Sequence, residues 1–173
     1  MRRLPWFALV LGLVAGCGGS GGSPRTLPPL ASATLSPSPS PTPSLTPDQQ
    51  VLAAVRAYYA AVNHAAATSD TAGVLATTLP ACTCRSLVSY INGLRAKGQG
   101  LRNARDEVAE MHVMQVTKDF AVVSVMYFSP AHQVVDLKSG KVLESFPSKQ
   151  FQAQVTVKAV TSAWLVAIER EVS

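Results

Sequence analysis

At Gly100 the hydrophobic period of this chain changes from 3.6 residues to 2, which confines it to folds with helices first and a sheet after. Before that point Val51, Val55, Tyr58 and Val62 recur at i, i+4, i+7 and i+11, and Leu52 and Tyr59 widen the stripe. This spacing predicts a helix over 48–67 with one face on a core. Its start is well marked: Thr46 can cap, Pro47 suits the first helical position, and Gln49 stands three residues after Thr46 as a capping box requires. Ser69-Asp70 is expected to open a second, shorter helical stretch through Gly73-Val74-Leu75-Ala76, ending near Leu79-Pro80 because proline disfavours helix in the residue before it. Leu87, Val88, Ile91 and Leu94 predict a third helix, stopped by Lys97-Gly98-Gln99-Gly100.

After Gly100 the segments 108–116, 120–128, 133–137, 143–146, 149–160 and 162–172 are rich in β-formers. The clearest, Gln150 to Lys158, alternates strictly between polar and apolar residues, so it should have one wet face. Lys118-Asp119 and Ser139-Gly140 read as hairpin turns, and Thr161-Ser162 joins the last two strands. Short connections imply antiparallel neighbours. The expected architecture is α+β: three N-terminal helices packed on a curved antiparallel sheet.

The N-terminus gives an address. Met1-Arg2-Arg3 is a charged start, Leu4 to Leu13 is an apolar run, and small residues lead to Cys17, which is the secretory pattern. Spanning a bilayer takes about 20 apolar residues, and this run ends earlier, at Gly18-Gly19-Ser20-Gly21-Gly22. Val14-Ala15-Gly16-Cys17 resembles the lipobox of bacterial lipoproteins. The resemblance implies that residues 1–16 are a signal removed on export and that Cys17 becomes an acylated N-terminus. The protein is then held at the extracytoplasmic face of the cell membrane, where more than one fatty chain gives a durable anchor. From Gly18 to Pro47, 23 of 30 residues are Gly, Ser, Thr or Pro, and only Arg25 is charged. Such a segment has too little apolar surface to offset the entropy of ordering, so residues 17–47 are expected to be a tether, extended where Pro alternates with Ser and Thr. One domain, 48–173, remains.

Charge narrows the partners. Without Arg2 and Arg3 the formal net charge falls from +5 to +3 and no cluster of Lys and Arg is left, so the footprint of a nucleic-acid binder is missing. Cys82 and Cys84 are an even pair in an exported domain, which favours a disulfide. A redox pair, a soft-metal site and free thiols are the alternatives; the usual redox spacing has two intervening residues, and His64, His112 and His132 lie far away in sequence.

The order of helices, long strands and a Trp-containing last strand, Ala163-Trp164-Leu165-Val166-Ala167-Ile168, resembles the nuclear-transport-factor-2-like cone, a cystatin-like fold. Together with the lipobox, the Ser/Pro tether and Ala81-Cys82-Thr83-Cys84, it is similar to actinobacterial lipoproteins of uncharacterised function that carry such a domain. That resemblance implies little chemistry, because cone folds host isomerases, dehydratases, binders and scaffolds alike. On period 2, His112 shares a face with Val108, Glu110 and Met114. If that face lines a cavity, His112 with Glu110 can act as acid or base, as in cone-fold isomerases and dehydratases; if it faces solvent, both are ordinary surface groups, and this second reading is preferred. Tyr58 and Tyr59, whose hydroxyls need partners if buried, are candidates for a pocket wall. The expected function is non-catalytic binding of a small ligand or a cell-envelope protein, with no cofactor. A cone-fold enzyme using His112 is the alternative.

Overall fold

The computed structural model describes residues 44–172. The segment expected to be a signal, Cys17 and the expected tether as far as Pro43 lie outside the described residues.

Helix α1 spans Pro47–Thr68 and opens with the capping box read from the sequence: Thr46 Oγ1 accepts from the Gln49 backbone N–H, and the Thr46 backbone N–H donates to Gln49 Oε1. Its apolar stripe is buried from Val51 to Ala65. Ser69, expected to open the next helix, instead ends α1 in the left-handed region (φ 61°), its N–H bonded to the Ala65 carbonyl. Asp70 then accepts from the Ala72 N–H at 3.0 Å, and α2 runs over Ala72–Thr77. A single 3-10 turn, Thr83–Arg85, precedes α3, Ser86–Ala96. The Arg85 guanidinium donates to Thr78 Oγ1 and to the Leu75 and Thr78 carbonyls, tying this turn to the end of α2.

Strands follow as β1 (Gln99–Arg102), β2 (Glu107–Val116), β3 (Phe120–Ser129), β4 (His132–Asp136), β5 (Val142–Phe146), β6 (Lys149–Val160) and β7 (Ala163–Glu171). The turns at Lys118-Asp119, Ser139-Gly140 and Thr161-Ser162 are where the sequence places them. Two expectations change. Gly100 does not stop α3; Gly98, at φ +69°, takes that role, and Gly100 pairs with Val135 inside β1. A Cβ on Gly100 would stand 2.8 Å from Cδ2 at the end of the exposed Leu137 side chain, which would have to move aside. The ladders also form two antiparallel sheets rather than one, β1-β4-β5 and β2-β3-β6-β7. The break falls at Ser129-Pro130-Ala131, where proline has no N–H to continue the ladder.

The core lies between α1 and the inner face of the larger sheet. Val123, Val125, Val155, Val157 and Val166 are fully buried there, against Val51, Val55 and Tyr58 of α1. On β6 the alternation holds: Ala153, Val155 and Val157 point inward, while Gln152 and Lys158 are exposed.

Candidate functional site

Among the described residues the larger sheet has three bulges, and two of them decide which polar groups reach the interior. In β2 the register shifts between Val108 and Glu110, so Ala109 is an extra residue. Residues paired across an antiparallel ladder share a face. Val108 therefore faces inward opposite Tyr127, Met111 opposite Val125 and Val113 opposite Val123, while Glu110 and His112 oppose Met126 and Ser124 on the outer face. This corrects the face expected for His112: Val108 is not on it. The His112 and Glu110 side chains are 73% and 59% exposed, and among the described residues they pair with each other, Nε2 to Oε2 at 3.3 Å. Among the described residues, the cavities at Tyr58 and Tyr59 do not include His112, whereas Glu110 lines one of about 480 Å³ with Tyr59, Asp106, Arg56 and Arg105.

In β7 the shift lies between the partners of Thr156 and Val157, leaving Ala167 as the extra residue. Strict alternation from Val166 would aim Ile168 and Arg170 inward. The bulge aims Glu169 and Glu171 inward instead, opposite buried Val155 and Ala153.

Glu169 meets two consecutive tyrosines of α1. Tyr58 OH donates to Oε2 at 2.6 Å and Tyr59 OH donates to Oε1 at 2.7 Å, so each carboxylate oxygen takes one phenol. Consecutive helical positions point about 100° apart. Both are buried because α1 packs on β7 and β6 on one side and on β2 on the other. The rings continue as a chain: Tyr58 stands edge-on to Tyr59 at 5.2 Å, Tyr59 lies 5.4 Å from Tyr127, and Tyr127 stacks on Phe151 at 5.2 Å. Burial first, and then the Glu169 charge, pushes the phenol pKa values of Tyr58, Tyr59 and Tyr127 far up, so all three stay neutral donors.

Asp106 enters from the segment before β2. Asn63 of α1 fixes it through two bonds to its backbone, Nδ2 to the carbonyl at 2.9 Å and Oδ1 from the N–H at 2.7 Å. Burial holds its carboxyl above the ordinary 3.8; a hydrogen bond from Ser129 and the nearby His132 pull the other way. His132, the first residue of β4, stacks on Phe146 at 4.8 Å.

These groups line a mouth between α1, the turn before α3 and the larger sheet. One cavity of about 200 Å³ is bounded by Tyr58, Tyr59, Tyr127, Asp106 and Glu169, with Cys84, Ser86 and Leu87 closing it from the α3 side. A neighbouring cavity of about 230 Å³ shares Asp106 and Tyr127 and adds Arg105, His132 and Phe151. Cys82 and Cys84 are disulfide-bonded with Cα atoms 5.2 Å apart, and the bridge fixes the turn that puts Cys84 on the cavity wall.

Tyr58 and Tyr59 are thus brought together as the sequence suggested, but with Glu169, Asp106 and Tyr127 and not with His112. Glu169 was hidden by the bulge. Asp106 stands outside every periodic segment, and Tyr127 looked like one more apolar position of a strand.

No protein-family model matches this chain, and no curated protein matches it in sequence. Solved structures do match in shape. The intermembrane-space region of the chloroplast protein ARC6 superposes with a TM-score of 0.55 at 12% identity, covering 76% of this chain and 99% of that one. A candidate aromatic ring hydroxylase from Novosphingobium aromaticivorans gives 0.52 at 13% identity, covering 73% and 90%. A candidate dehydratase of the NTF2-like family from Streptomyces avermitilis gives 0.49 at 15% identity, covering 72% and 94%. At such identities the first two likenesses show the fold alone, an α+β domain with antiparallel sheets.

Proposed function

We propose that this protein is a lipid-anchored lipoprotein of the extracytoplasmic membrane face whose cone-like domain binds a small ligand in its mouth without transforming it. The observation that carries the binding reading is the cavity at Glu169: a carboxylate held by two phenols, walled by aromatic rings and open to solvent. Polar groups fixed in advance around a concave site with apolar and aromatic walls are what small-molecule recognition requires. The volume of about 200 Å³ is below that of pockets for drug-sized ligands, which points to a ligand of few atoms. The anchor reading is supported by Val14-Ala15-Gly16-Cys17 and the Gly/Ser/Pro-rich segment after it.

Each half has its own test. Cys17→Ala is expected to abolish fatty-acid labelling and release the protein from membranes; unchanged labelling and retention would refute the anchor. Native mass spectrometry of the full chain is expected to show a small adduct that Tyr59→Ala removes. No adduct, or one that survives the substitution, would remove support for the mouth as a binding site.

One observation favours a second, enzymatic reading. Asp106, with its carboxyl raised by burial, shares a cavity with neutral phenols, a combination suited to moving a proton. Under that reading Asp106, not His112, is the acid or base. Chemical change of the bound adduct on incubation, lost in Asp106→Asn, would establish it.

A further inference from the structure

The charges of the Glu169 cavity are one-sided. Asp106, Glu169 and Glu171 line the Glu169 cavity and the recess that continues it, together with Tyr58, Tyr59 and Tyr127, and no Lys, Arg or His takes part in either lining. This occurs in a chain whose formal net charge is +5. Among the described residues the ion pairs are His64–Asp70 and His112–Glu110, so none of the three carboxylates forms an ion pair, and Glu169 and Glu171 stand farthest from the positive groups beside Asp106. The two phenols on Glu169 satisfy its hydrogen bonding and leave its charge in place.

Positive groups stand on the other side of Asp106: Arg56 and Arg105 line a cavity of about 480 Å³ with Asp106 and Tyr59, and Arg105 and His132 line the neighbouring one. Lys149 Nζ is held 4.4 Å over the Phe151 ring, an internal instance of a cation attracted to an aromatic face. Carboxylates in a partly desolvated cleft concentrate negative potential, and aromatic rings beside them add the attraction of their quadrupoles. Among the described residues, no three His, Cys, Asp or Glu side chains stand close enough to hold a metal ion. The acidic groups are spread around an aromatic wall, an arrangement that suits a larger, softer cation.

We infer that the ligand of the cone mouth is a small organic cation, an amine or quaternary ammonium, held by Glu169 and Asp106 against the Tyr58, Tyr59 and Tyr127 rings. This rests on the ligand-binding reading above and specifies the ligand's charge. The test uses three probes on the full chain by isothermal titration: choline; 3,3-dimethyl-1-butanol, which has carbon in place of the charged nitrogen; and 3,3-dimethylbutanoate, of opposite charge. Choline is expected to bind about tenfold more tightly than the alcohol, and the anion most weakly. Glu169→Gln, which keeps the size of the side chain, is expected to abolish the tenfold preference for choline over the alcohol, and a preference that survives the substitution overturns the assignment of Glu169. Equal binding of choline and the alcohol, or preference for the anion, overturns the charge assignment and leaves a ligand-binding mouth. Binding of none of the three also overturns it, and the adduct seen by native mass spectrometry then decides the broader reading alone.

Discussion

Strands β2 and β7 of the same sheet each carry a glutamate close to a bulge, and the two glutamates end in opposite surroundings. Glu110 follows the bulge at Ala109, turns to solvent and pairs with His112. Glu169 follows the bulge at Ala167, turns inward and receives two phenol hydrogen bonds. In sequence the first is the more suggestive of chemistry, because it lies two residues from a histidine. Yet an exposed carboxylate–imidazole pair is screened by water and contributes little, whereas a half-buried carboxylate with fixed donors keeps its field and its geometry. The strand's local register, not the chemistry of the neighbours, decides between the two.

The sharpest way to break this contrast is to truncate the partners. Tyr58→Ala removes a fully buried ring and is expected to cost about 3–5 kcal/mol of stability. His112→Ala should change stability by less than about 0.5 kcal/mol. Denaturant unfolding of the two variants checks this, and similar midpoints would contradict the assignment of the two faces. Next in size is Glu169→Ala, which leaves two phenols without their acceptor and is expected to cost about 1–3 kcal/mol, against about 0.5 kcal/mol or less for Glu110→Ala.

A smaller effect concerns pH. The Asp106 carboxyl is held above 3.8 by burial, against the opposing influence of Ser129 and His132, so the folded state keeps this proton more tightly than the unfolded chain. Its contribution to stability is therefore greatest below 3.8 and declines as pH rises from there to the raised value. Asp106→Asn is expected to remove that decline and to be at least as stable as the parent at neutral pH, which unfolding midpoints across the acid range measure. A steeper decline in the variant would contradict the buried setting. Smallest is the His112–Glu110 coupling, expected below about 1 kcal/mol in a double-mutant cycle and reduced by salt.

Much of this fold is legible in residue spacing. The Thr46–Gln49 box, the α1 stripe, the hairpin turns and the β6 alternation are local rules, and local rules predominate where the chain follows them. The site is legible only in part. Tyr58 and Tyr59 draw notice as adjacent phenols on a buried face. Glu169 does not, because a single extra residue inverts every later side chain of a strand and leaves no mark in composition. The same physics takes Val108 off the face of Glu110 and His112, while those two stand on the solvent side as the preferred reading of the sequence has it. Strand β1 was missed because Gly98 and Gly100, two residues apart, have different tasks: one ends a helix with positive φ, the other admits a neighbouring side chain.

The most direct measurement compares the two faces within one sample. Ring-labelled tyrosine and methyl-labelled methionine in the full chain give signals from Tyr58, Tyr59 and Tyr127 at the mouth and from Met114 beside His112, 59% exposed on the outer face. On titration with choline, the three tyrosine rings are expected to shift together along one saturable curve while the Met114 methyl stays in place. A saturable shift at Met114 with still tyrosines would contradict the claim that ligand chemistry belongs to the mouth built around Glu169.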